Sequence, residues 1–206
     1  MKRFGTWLMV VSFALAACTE GGPYPPSKTP APQSAIAEAE RTAALCARNA
    51  PNGAAAIAAL KASGFTPASN PDIEAVKNGL TGTQRLGYLE NTEQGIIVLI
   101  RSASAKQSSF FCSISVRDMT VAQGAQVADI WVRKYRATDK TLFKDAPLKN
   151  EVMGWQAIAD RSYTQIGISP STSHPGGPGA TIVLRFATKD AGAPVSSGSY
   201  TITKTR

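Results

Sequence analysis

Apolar residues recur along this chain with two periods, and the period changes where the elements change. Ile36, Ala39, Ala43 and Cys46 recur at helical spacing on one face. Phe110, Cys112, Ile114 and Val116 alternate along the chain, as one face of a strand does. Val121, Ala125, Ala128, Trp131, Val132 and Tyr135 return to a helical stripe.

Capping and turn residues bound these segments. Ser34 is the expected cap of a first helix over 34–48. Asn52 caps a second, which holds Ile57 and Leu60 and stops at Gly64. Asn70-Pro71-Asp72 opens a third, with proline at the first helical position and Gly79 past the end. Segments 84–90, 95–102 and 108–117 read as strands. The breaks between them are short and polar, so the strands are antiparallel neighbours, because parallel ones need long crossovers. Thr120 followed by Gln123 has the spacing of a capping box and starts a helix that runs to about Arg136. A hairpin over 151–158 and 162–169 turns at Asp160-Arg161. A further strand covers 180–188, and 200–204 is a candidate short edge.

The element order is helices, three strands, helix, three strands. It predicts one α+β domain over 34–206: a twisted antiparallel sheet with helices packed on one face, built as two α-β-β-β halves whose residues do not repeat. In element order alone this is similar to the fold of periplasmic β-lactamase-inhibitor proteins. No motif is shared, so that likeness implies architecture and no function.

Ahead of the domain, residues 18–33 carry Gly21, Gly22, Pro23, Pro25, Pro26, Pro30 and Pro32. This composition makes neither a helix nor a central strand. It reads as a semi-rigid linker reaching roughly 45 Å at about 3.1 Å per residue, or as a disordered stub. Residues 1–17 begin Met1-Lys2-Arg3 and continue with a run that is apolar except for Gly5, Thr6 and Ser12. The run is shorter than the roughly 20 residues that cross a bilayer. It closes in Leu15-Ala16-Ala17-Cys18, which resembles the signal and lipobox of bacterial lipoproteins. The resemblance implies that the signal is cut away, that the Cys18 sulfur receives diacylglycerol and that its new amine is acylated by a chain such as palmitate. Each buried CH₂ contributes about 0.8 kcal/mol, so several acyl chains hold a protein at a membrane without a spanning helix. Because an Asp after the cysteine favours inner-membrane retention in such lipoproteins, the resemblance together with Thr19 at that position implies the outer membrane, facing the periplasm.

Export changes how the other cysteines read. Lipidation consumes Cys18, and an oxidising periplasm would pair Cys46 with Cys112; the alternative is two buried thiols that never meet. Two cysteines with no neighbouring histidine do not fill a tetrahedral zinc site.

Charge adds a candidate contact. The chain has 22 basic and 14 acidic residues, and losing Lys2 and Arg3 lowers its formal charge from +8 to about +6. Arg133, Lys134, Arg136, Lys140, Lys144 and Lys149 form a basic stretch beside Tyr135 and Phe143, interrupted by Asp139, Asp145 and Glu151. It is a candidate contact for an anionic partner, or simply a solvated helix end where cations are favoured. His174, the single histidine, lies in a Gly- and Pro-rich turn. The carboxylates are scattered, and nothing in the sequence nominates the converging pair that glycoside hydrolysis needs. Phosphate-loop, dinucleotide, HExxH and EF-hand patterns are missing from the sequence, so no cofactor or metal is expected and the catalytic residues of any enzyme remain unknown. The sequence thus points to a lipid-anchored envelope protein whose domain is a non-catalytic binding module for an envelope protein or anionic polymer. A small envelope hydrolase acting on cell-wall material is the alternative, and nucleic acid is not an expected partner.

Overall fold

The computed structural model describes residues 30–80, 82, 84–103, 107–139, 153–159, 161–171 and 178–189. The chain runs α1 (Gln33–Asn49), α2 (Gly53–Ala62), β1 (Thr66–Pro67), α3 (Pro71–Asn78), β2 (Arg85–Asn91), β3 (Ile96–Ala103) and β4 (Gln107–Arg117). It continues with α4 (Val121–Tyr135), β5 (Thr138–Asp139), β6 (Met153–Ala159), β7 (Ser162–Ser171) and β8 (Gly179–Lys189). The fold is α+β.

All eight described strands join one antiparallel sheet, in the order β1-β2-β3-β4-β8-β7-β6-β5. Two meanders, β2-β3-β4 and β6-β7-β8, meet through their last strands. Each carries a two-residue strand on its outer edge, β1 or β5, which the sequence pattern does not reveal. Two residues are too short to show a period, and their strand character comes from the neighbour they pair with.

Register aligns the alternating apolar residues into rows. One row runs Leu89, Val98, Ile114, Ile182, Ile168 and Met153 across six strands. The helices α1, α2 and α4 pack on the face that these residues share. α2 lies over β2 and β3 so closely that a Cβ on Gly87 would stand 2.5 Å from Ile57 Cγ1, inside van der Waals contact. By contrast, α3 contributes no buried residue.

Helices α1 and α4 lie side by side and run parallel. Contacts climb both in step: Gln126 Nε2 donates to Glu40 Oε1 at 2.9 Å, and the indole N–H of Trp131 donates to the Ala43 carbonyl at 2.7 Å. Trp131 is fully buried, and the alanine-rich face of α1 leaves room for it. Each helix start also depends on the other. Thr120 and Gln123 form the expected capping box. The Gln123 carboxamide also accepts from Ala31 N–H at 3.3 Å and donates to the Ala31 carbonyl at 3.0 Å. Ala31 is buried, and α1 begins at Gln33 with Pro32 in the cap position. Ser34 therefore lies inside the helix instead of capping it. The extended backbone at Pro32, next to Ala31 held by Gln123, sets the cap two residues earlier.

Cys46 of α1 and Cys112 of β4 form a disulfide, with an S–S distance of 2.12 Å and both residues fully buried. It fastens the helix layer to the middle of the sheet.

Candidate functional site

The basic stretch begins in the last turn of α4, and the structure separates its members. Arg133 pairs with Asp129, one turn back on the same helix. Lys134 donates from Nζ to the Ala47 carbonyl in the last turn of α1, with its ammonium 5.7 Å from the centre of the Tyr135 ring. Both residues thus serve the helix ends. Arg136 differs. It ends α4 in the left-handed conformation, with φ 51° and ψ 40°, and is exposed. Its guanidinium makes no hydrogen bond or ion pair among the described residues. Lys140, Lys144 and Lys149 lie outside the described residues, as do Cys18 and the His174 turn.

Arg136 borders an open cleft of about 390 Å³ between the end of α4 and the β6–β7 hairpin. Tyr135, Thr138, Gln156, Ile158, Ser162 and Thr164 line it with Arg136, together with two alanines. The Tyr135 ring lies 5.6 Å from that of Phe186. Burial pushes its phenol pKa from 10.0 up to about 12, because the charged form would lose water, so the group stays a neutral hydroxyl at ordinary pH. Ile158 is 69% exposed, far more than other large apolar residues among those described. The cleft combines one cation, several neutral hydroxyl and amide groups and an apolar side chain. That is the chemistry of holding a ligand by charge and hydrogen bonds.

A second feature lies on the face of the sheet opposite the helices. Register places Leu86, Arg101, Phe111, Arg185, Gln165 and Gln156 in one row across six strands. Arg185 Nη1 donates to Gln165 Oε1 at 3.1 Å. Strand alternation alone puts Arg101 and Arg185 on the opposite faces of their strands from the core residues Ile100 and Leu184. Bringing them to either side of Phe111 requires the pairing of β4 with β8, which sequence reasoning missed as a site.

Comparison with known protein families, curated proteins and solved structures finds no match to this chain. Among the described residues, no helix is long and apolar enough to cross a membrane, and no three His, Cys, Asp or Glu side chains gather as metal ligands would.

Proposed function

We propose that this chain is a lipid-anchored envelope protein, held through Cys18 at the outer membrane and facing the periplasm. On this reading its domain is a non-catalytic module that binds an envelope protein or an anionic polymer. The observation that carries the proposal is the Cys46–Cys112 disulfide. Disulfides persist in oxidising compartments, and this one leaves a single cysteine over, the one that closes the lipobox-like run.

Geometry adds support for the binding half. Ala31, where the linker joins the domain, sits at the start of α1, and α1 is about 25 Å long at 1.5 Å per residue. Arg136 and its cleft lie at the far end of the parallel α1–α4 pair. A domain suspended from its linker would turn the cleft away from the anchoring membrane. Arg136, whose guanidinium has no partner among the described residues, and the Arg101–Phe111–Arg185 row both suit an anionic partner.

The anchor is tested by labelling cells with a palmitate analogue. The intact chain should take up label and fractionate with outer membranes, and Cys18→Ala should do neither. Equal labelling of both forms, or an intact Met1 on the native protein, would overturn the anchor. For binding, crosslinking in whole cells followed by purification of the full chain should recover one partner in constant ratio. Recovery of the bait alone, together with release of sugar or peptide from purified cell wall, would favour a hydrolase instead.

A further inference from the structure

The cleft at the end of α4 coincides with a break in the sheet edge. β5 pairs with β6 only at Thr138↔Gln156 and Asp139↔Trp155. Beyond that point the lane occupied by β5 bends away into α4, while β6 continues through Ala157, Ile158 and Ala159. These residues pair with β7 on one side, and no described strand lies on the other. In a hairpin with a two-residue turn, the residues flanking the turn bond to each other. Ala159 and Ala157 therefore spend their backbone groups on β7. Alternation turns the N–H and C=O of Ile158 outward, into the cleft.

Natural sheets protect such edges with charged side chains, proline or a covering element. This one reads Ala-Ile-Ala, with its central isoleucine 69% exposed. Edges of this kind accept an added strand from a partner: the main chain supplies the hydrogen bonds, and flanking pockets select side chains. The flanking group here is a cation. Arg136 stands at the cleft wall without a partner among the described residues, and Arg161, also exposed, occupies the hairpin turn at its end.

We propose that the cleft between α4 and the β6 edge is a docking site for an extended acidic peptide segment of a partner protein. The segment adds as a strand beside residues 157–159 and places an aspartate or glutamate against Arg136. Ile158 covers an apolar side chain of the segment. The hydroxyls of Thr138 and Ser162 lie within the same lining to receive its polar groups. The inference rests on the binding reading above and narrows the partner from any anionic surface to a peptide.

The test uses the full chain in detergent micelles and a displayed library of random ten-residue peptides. Selection should enrich sequences with Asp or Glu at one position beside alternating apolar residues. The best peptide should bind Arg136→Gln at least tenfold more weakly than the unaltered chain, and N-methylation at alternate residues should abolish its binding. A variant at the opposite end of the helix layer, Arg117→Gln, should leave its affinity unchanged. Three results would overturn the proposal: no enrichment over Arg136→Gln, enrichment without acidic residues, or N-methylated peptide binding as well as the parent. Any of these alongside a stoichiometric partner from the crosslinking experiment would sink the peptide site while leaving the wider binding reading intact. Enrichment as expected would support the peptide site, and with it the binding reading, whether or not crosslinking recovers that partner.

Discussion

Single atoms already separate what each residue does. Thr42 in α1 is fully buried, and its hydroxyl has no hydrogen-bond partner among the described residues. An orphaned buried hydroxyl costs about 1–3 kcal/mol relative to a satisfied one. Thr42→Val keeps the shape and removes the polar atom, so denaturant unfolding should show a gain of about 1 kcal/mol. Tyr135 gives the opposite kind of signal, visible only at high pH. Between pH 10 and about 12 the unfolded chain loses the phenolic proton while the folded chain keeps it. The stability due to this group is complete below pH 10 and falls as pH rises through that window. Melting curves of Tyr135→Phe should therefore fall less steeply with pH between 10 and 12 than those of the unaltered chain. Neither property is legible in the sequence. Thr42 precedes Ala43 on an ordinary helical stripe, and Tyr135 reads as the last residue of another. What isolates the hydroxyl, and what buries the phenol against Phe186, is packing from other elements.

Whole elements were more legible, because each long one repeats its signal. Asn52 and Asn70 cap α2 and α3 as their positions in the sequence suggest, each with its side-chain oxygen accepting a backbone N–H. The six long strands follow from alternation, to within a residue or two at their ends. Ser34 misleads because a good capping residue was outcompeted by a contact from Gln123, 92 positions from Ala31. The two roles of Gln123 can be separated. Thr120→Ala removes the cap alone and should cost about 1 kcal/mol. Gln123→Ala also releases Ala31, so it should cost more, and amide exchange should quicken at the start of α1 as well as α4. The disulfide is a separate brace. Its cysteines lie 66 positions apart, and for such a loop chain entropy gives roughly 4 kcal/mol. Replacing both with alanine should lower the unfolding midpoint accordingly, and reductant should then have no further effect.

At the scale of the molecule, the two halves anticipated from element order are present, but the way they join was hidden. Nothing in the residues of β4 or β8 says that these strands pair with each other, since either could have lain at an outer edge. The candidate site suffers the same blindness: Arg136 lies within the basic stretch, yet its cleft exists only where β5 departs from β6. The seam itself has a temporal consequence. β8 is the last described strand along the chain, yet it takes a central lane, bonded to β4 on one side and β7 on the other. A polypeptide threading out amino end first would complete its opening meander with the flank of β4 bare, and must wait for some 70 more residues before the keystone arrives. During that interval the newcomer is a half-arch, with one flank open to neighbouring copies.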